Sequence, residues 1–345
     1  MILYPALTEA LALKSRKQLS SDLQLAMVSS AHSLLWVMAV NTLPCCLHAT
    51  GCDRRQPETC EESAFLQAGF LHLSEPEVSP PLAPTKCALP GHGAWAMVQI
   101  PGIKPYWFAV HARLSHDTVS RRVMRDHNWE DFTAENYGAP GHAVDIGANL
   151  GFYSFALAKN GWNVTSFEPM PANRALFKAS LCANPDVVER IDFHEHGLGD
   201  ANQHCYLVAN INNIGDGYVS CGNDRNPVAS PDGGPYQSRG EFDVKIFDEI
   251  ENNMFAQHKV DFIKIDVEGY ECHVFRGAKK LLAQKPRLIQ TEMKWDIAGC
   301  TPSEYAQMFL DASYRVKTDA KCQNEARRLP VQPQTWDFWM CLEGA

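Results

Sequence analysis

Residues 143–169 read AVDIGANLGFYSFALAKNGWNVTSFEP. The stretch opens on a short apolar strand, Ala143 to Ile146, and turns through Gly147 to Gly151. An apolar helix follows from Phe152 to Lys159, ended by Asn160-Gly161, residues suited to a left-handed cap. Trp162 to Phe167 reads as the next strand and Pro171 to Cys182 as the next helix. Strand, helix, strand, helix in units this short predict an α/β fold with a parallel sheet covered on both faces. The pattern returns in RIDFHE, VDFIKIDVEG, the helix YECHVFRGAKKLL and RLIQTEM. In that helix Val274, Phe275, Ala278, Leu281 and Leu282 form one apolar stripe, and Pro286 stops it.

Such sheets bind ligands beyond the carboxyl ends of their strands. Gly147 and Gly151 let the backbone turn tightly there, and Glu168, ending the second strand, is placed to accept the hydroxyl protons of a ribose. The expected ligand is an adenosine derivative. A dinucleotide requires Gly-x-Gly-x-x-Gly, but Asn149 and Phe152 stand at the second and third glycine positions, which disfavours a nicotinamide-dependent oxidoreductase. S-adenosylmethionine, with a sulfonium and an amino acid in place of pyrophosphate, suits the aspartate-bearing turn better.

The combination of VDIGANLGFYS, FEP, HGLGD, NIGDG and FIKIDVEGYECHVFRGA resembles the FkbM family of S-adenosylmethionine-dependent methyltransferases, from about Trp107 to Leu342. The resemblance implies a class I methyltransferase, Rossmann-like fold: a seven-stranded, mostly parallel sheet with helices on both faces and an antiparallel last strand. YRVKTD and TWDFWMCL would then supply the final hairpin. It also implies methyl transfer to a hydroxyl of a sugar, glycan, lipid or polyketide-like acceptor. Position by position, Asp145, Gly147, Ala148, Asn149 and Gly151 would form the methionine-side loop and Glu168 would hold the ribose. Gly199 and Asp200 of HGLGD would border the adenine, although the preceding histidine-rich HEH departs from the small residue of many relatives. A catalytically inactive methyltransferase-like scaffold is the main alternative; it would have no need of the glycine turn or Glu168.

The catalytic expectation rests on KIDVEG. Lys264, Asp266 and Glu268 alternate on one strand face, and unpartnered charges on a buried strand would cost several kcal/mol each, so they are paired or face the open end. Lys264 is expected to neutralise a carboxylate inside, Asp266 to touch the methionine amino group or a water, and Glu268 with Glu292 to orient or deprotonate the acceptor hydroxyl. The bland reading has Glu268 capping the following helix and Glu292 paired with a structural lysine. No metal is expected; a cation on Asp266, Glu268 and Glu292 is conceivable because hard oxygens suit magnesium. His194 and His196 share a strand face but lack a third ligand, and His273 is placed on a helix surface. The polar run at 210–240 reads as a flexible loop over the acceptor, with Asn213 to Gly217 lining the pocket.

The chain of 345 residues is 45% hydrophobic and 21% charged, enough for one large core or two modest ones. Its formal net charge of −9 and the absence of a long basic run argue against nucleic acid as a partner. None of its 12 cysteines forms a Cys-x-x-Cys pair, which argues against zinc-ribbon and dithiol chemistry. Five, from Cys45 to Cys87, precede the main domain and could staple a stalk, whereas Cys182 and Cys272 read as small buried hydrophobes. The domain expectation is a tail at 1–24, a signal anchor or targeting segment at 25–47, a proline-rich linker or stalk at 48–93 and a methyltransferase domain at 94–345. Lys14, Arg16 and Lys17 ahead of the apolar segment predict single-pass membrane association in the secretory pathway, type II with a lumenal domain; organelle targeting or a cytoplasmic location is the alternative. The Asn163-Val-Thr165 sequon is expected inside a core strand and without a glycan.

Overall fold

A hairpin of β1 (Gly93–Val98) and β2 (Tyr106–His111) comes first in the computed structural model, followed by helix α1 (Thr118–Asp126). The structure describes residues 82, 84–112, 117–211, 214, 217–221, 236–250, 259–331 and 334–344, all within the unit Glu77–Ala345. Asp117 caps α1 by accepting from the Ser120 amide at 2.7 Å. The alternation begins with β3 (His142–Ile146), α2 (Phe152–Lys159), β4 (Asn163–Phe167), α3 (Pro171–Ala183) and β5 (Ile191–His194). Next come β6 (Gly197–Gly199), β7 (Gln203–Asn210), β8 (Gly217–Cys221), β9 (Tyr236–Ile246) and the short α4 (Phe247–Ile250). The last elements are β10 (Phe262–Ile265), α5 (Glu271–Gly277), α6 (Lys279–Ala283), β11 (Leu288–Lys294), α7 (Pro302–Asp311), β12 (Tyr314–Lys317) and β13 (Thr335–Leu342).

Seven strands form the main sheet in the order β12-β13-β11-β10-β3-β4-β5. The pairings from β5 through β11 are parallel, while β13 runs antiparallel to both β11 and β12. The expected mixed sheet with an antiparallel last strand is therefore present, in a Rossmann-like α/β domain. The chain order reverses between β3 and β10, so their carboxyl ends open the crevice where ligands of such sheets sit.

Strand alternation sorts the core into two layers. Ala143, Phe262 and Leu288 face one, with Phe155, Trp162 and Phe177; Val144, Ile263 and Ile289 face the other, with Val274, Phe275, Tyr305 and Phe309. Helix α2 is buried on every side from Phe152 to Ala158 because the N-terminal hairpin covers it, Phe108 meeting Phe152 and Phe155 edge-on.

Several expectations need correction. The single helix expected over Tyr270–Leu282 breaks into α5 and α6 at Ala278, whose ψ is 40°. The break follows a close approach: a Cβ on Gly277 would lie 1.9 Å from the Gly199 carbonyl oxygen, so α5 packs directly on the β6 backbone. The polar run at 210–240 contains β8 and the start of β9, which join β6 and β7 in a second sheet ordered β6-β9-β7-β8. Asn163 stands exposed at the first position of β4 rather than inside it, while Thr165 is buried.

The described cysteines are paired. Cys87 bonds Cys182, Cys205 bonds Cys221, Cys272 bonds Cys300 and Cys322 bonds Cys341, so neither Cys182 nor Cys272 is a plain buried thiol. Their apolar neighbourhoods hid the pairing, since a buried half-cystine and a buried thiol look alike in a sequence. The membrane expectation is also corrected: no helix among the described residues is long and apolar enough to cross a membrane. Single-pass association and the type II lumenal placement thus find no spanning helix among the described residues; the 25–47 segment itself, the 1–24 tail and most of the stalk lie outside them.

The longest-range crosslink, Cys87–Cys182, closes a sequence separation of 95 residues. Replacing both cysteines with serine should lower the unfolding free energy by about 2–5 kcal/mol in a denaturant titration. An unchanged midpoint, with both native thiols alkylated in the unreduced protein, would rule the bond out.

Candidate active site

The turn after β3 is tied to the end of β4. The Gly147 and Ala148 amides both donate to the Phe167 carbonyl, at 3.0 and 2.9 Å. Gly147 has φ +76°, and a Cβ there would sit 1.9 Å from the Asp266 carbonyl oxygen, so the two turns at the switch point pack backbone against backbone. Asn149 also adopts a left-handed conformation, φ 54°, which aims its amide at Glu168 Oε2, 2.8 Å away. Its own Oδ1 is buried and has no hydrogen-bond partner.

Glu168 directly follows β4 and is 5% exposed. Oε1 accepts from the Met170 amide at 2.8 Å and, more loosely, from Asn173 Nδ2 at 3.5 Å. Burial pushes the carboxyl up to about 7 against the pull of the Met170 and Asn149 amides. Asp145 lies deeper: 1% exposed, it accepts from Ser154 Oγ at 2.6 Å, and burial raises its pKa.

A cleft runs over these turns. Phe167, Leu198, Leu207, Phe242 and Val244 give it an apolar wall, the last four from the second sheet. Gly147, Asn149, Glu168, Asp266, Glu268 and Tyr270 give it a polar one.

Behind the polar wall lies a charge cluster. Lys264 Nζ bonds Asp266 Oδ2 at 3.1 Å; burial works against its charge, but Asp266 and Asp145 hold its pKa up. Lys294 pairs tightly with Glu268, whose φ is 57°, and lies 3.9 Å from Glu292. Glu271, 0% exposed, turns Oε1 to the Val267 and Gly269 amides at 3.0 and 3.3 Å, and burial pushes it up to about 7. Glu292 is pushed up to about 10, first by burial and then by the carboxylates of Asp266 and Glu268.

Of the residues named from sequence, Gly147, Asn149, Glu168, Asp266 and Glu268 line the cleft. Asp145, Ala148 and Gly151 support its floor without lining it. Gly199 takes the close approach of α5 and Asp200 bonds His273 Nδ1 at 3.0 Å; neither lines the cleft. Glu292 sits within β11, two residues short of its end and beside the cluster. His194 bonds Asp192, and His196 its neighbour's carbonyl, so neither shows ligand geometry. Of the Asn213–Gly217 segment, Ile214 and Gly217 are described and line the cleft. Sequence reasoning missed Lys294, Glu271 and Tyr270. Lys294 was findable, being two residues from Glu292 on the same strand face.

The donor set fits S-adenosylmethionine. Glu168 retains lone pairs beyond those used by its backbone partners, enough for ribose hydroxyls. The orphaned Asn149 oxygen offers an acceptor, and the carboxylates of the polar wall suit a ligand with a sulfonium and an ammonium.

Residues 145–316 match the family model described as the methyltransferase FkbM domain. Among solved structures, methyltransferase FkbM from Methylobacillus flagellatus KT is similar over 59% of this chain and 44% of its own, at 18% identity and a TM-score of 0.37. The chain thus spans less than half of that protein. Precorrin-6y C5,15-methyltransferase from Geobacter metallireducens GS-15 is similar over 63% of this chain and 93% of its own, at 9% identity and a TM-score of 0.32. No curated protein matches the chain.

Glu168 makes the ligand-free fold sensitive to pH. Its carboxyl holds a proton more tightly folded than unfolded, 4.5 being its ordinary value and about 7 its folded one. Stability from this group therefore falls as pH rises through that window and stays low above it. Glu168→Gln should remove the fall, so that the variant loses less stability than the parent between about pH 5 and pH 8, by on the order of 1–3 kcal/mol. Parallel pH profiles in urea titrations would contradict this.

Proposed function

Residues 145–316 form an FkbM methyltransferase domain, a family dependent on S-adenosylmethionine, and from that premise we propose that the protein transfers a methyl group to a hydroxyl of a sugar, glycan, lipid or polyketide-like acceptor. The observation that carries the reading is Glu168, a buried carboxylate at the carboxyl end of β4, held by the Asn149 and Met170 amides on the wall of the switch-point cleft.

When bound, the cofactor supplies an electrophilic methyl group on sulfur. In this proposal Glu168 accepts the ribose hydroxyls and Asp266 faces the amino-acid end. The apolar wall that includes Phe167 and Leu198 excludes water from the adenine. In-line transfer needs the acceptor oxygen aligned with the methyl carbon and relieved of its proton. Glu268, fixed by Lys294, takes that proton, and Glu292 orients the hydroxyl from β11. The left-handed backbone at Glu268 supports the assignment, because a strained, non-glycine turn persists only where its surroundings enforce it.

Calorimetric titration with S-adenosylhomocysteine should show binding, weakened roughly 10- to 100-fold by Glu168→Ala through the loss of charge-assisted hydrogen bonds, and no binding of NAD. A folded protein that binds neither ligand would favour the catalytically inactive scaffold instead. With labelled S-adenosylmethionine and a panel of hydroxyl acceptors, Glu268→Gln should lower turnover by about 10²–10⁴-fold while leaving S-adenosylhomocysteine binding intact. Unchanged turnover would remove Glu268 as the base.

A further inference from the structure

Asp266, Glu268, Glu271 and Glu292 converge behind the polar wall, and two ammonium groups face them. Lys264 serves Asp266 and Lys294 serves Glu268. Oε2 of Glu271 and of Glu292 is buried without a hydrogen-bond partner, that of Glu292 having Lys294 Nζ 3.9 Å away. Two such oxygens in one cluster are unusual, because a buried polar atom left unpaired costs about 1–3 kcal/mol, more when charged. Glu271 cannot turn away: its Oε1 is anchored to the Val267 and Gly269 amides, and its side chain is wholly enclosed.

We propose that Asp266, Glu271 and Glu292 bind a hard divalent cation, which takes up the oxygens left without a hydrogen-bond partner. One oxygen from each of the three lies within 4.8 Å of the others. Oxygens on opposite sides of a calcium ion stand about 4.6–5.2 Å apart, and about 4.0–4.2 Å across magnesium. The 4.8 Å bound falls within the span of oxygens around one calcium-sized ion. Asp266 lines the cleft while Glu271 is wholly enclosed, so the site meets the cleft through Asp266. The ligand set differs from the one conceivable from KIDVEG alone, because Glu268 is committed to Lys294 and Glu271 takes its place.

The ion site shares the cleft with the proposed methyl transfer but does not depend on it, and the test separates the two. Manganese chloride is titrated into the full chain stripped with chelator, followed by calorimetry and by the electron paramagnetic resonance of free manganese; S-adenosylhomocysteine binding is measured on the same samples. One manganese per chain should bind. Glu271→Gln keeps an oxygen for the two amides and removes the charge, and Glu292→Gln does the same from a different element. Each should weaken manganese binding by more than about tenfold, the lower bound for loss of even an indirect partner of a metal ligand. Absence of manganese binding in protein that binds S-adenosylhomocysteine overturns the ion site and leaves the cofactor reading standing. Manganese affinity unchanged in both variants likewise overturns it. Manganese binding that both substitutions weaken supports the site even where S-adenosylhomocysteine fails to bind, and in that case the cofactor reading falls alone.

Discussion

The cleft exists because two turns touch through their backbones. The turn after β3 and the turn after β10 meet where the sheet reverses direction, with no room for even one carbon between Gly147 and the Asp266 carbonyl. That contact fixes how far apart the two carboxyl ends can stand. Once it is fixed, the Asn149 amide reaches Glu168 on one side and Asp266 presents its carboxylate on the other. Everything polar in the site is thus positioned by main-chain packing, which varies less than side-chain packing as neighbours move.

Such packing tolerates an electrostatic arrangement that would otherwise unfold a small domain. Four carboxylates gather around Lys264 and Lys294, and burial drives protons onto Glu271 and Glu292. A buried ion pair adds little net stability, because desolvation offsets most of its attraction, so this cluster is weak evidence for a structural role. Clusters of carboxylates with raised affinities for protons recur where a protein manages charge on a ligand. The bland alternatives weighed from sequence hold in part: Lys294 pairs with Glu268 and approaches Glu292, but no side chain caps α5, the Glu271 carboxylate bonding the turn before it.

The main sheet was legible because its strands are buried on both faces and its helices carry period-matched stripes. Residues 143–167 show the buried strands, with α2 apolar all round, and the observed β3, α2 and β4 follow the expected bounds within a residue. The second sheet was not. β8 and β9 lie among glycines, asparagines and serines, so composition signalled a loop while the hydrogen bonds that make them strands come from pairing with β7. The four disulfides were invisible for a related reason, since their partners are matched in space and share no spacing. In the site, the cleft-lining glycine, asparagine and acids could be read from local motifs. Asp200 could not, because its direction depends on His273, which a distant helix brings to it.

Helix α5 explains why Glu271 escaped notice and why it matters. A helix of seven residues has little stability of its own, and its place must be set by contacts outside it. The Glu271 carboxylate holds the preceding turn through the Val267 and Gly269 amides, Cys272 is bonded to Cys300 beyond β11, and Gly277 rests on the Gly199 carbonyl. These three contacts hold the start, the side and the end of the helix. Together they leave the Glu271 carboxylate no alternative orientation in which to satisfy Oε2. A sequence reader sees an acidic residue in a first helical turn, where a negative charge is expected to sit exposed against the helix dipole. Only the packing shows that it is wholly enclosed and directed at Asp266 and Glu292. A side chain held that firmly beside a ligand cleft has the fixed geometry that ion binding and acceptor positioning both require.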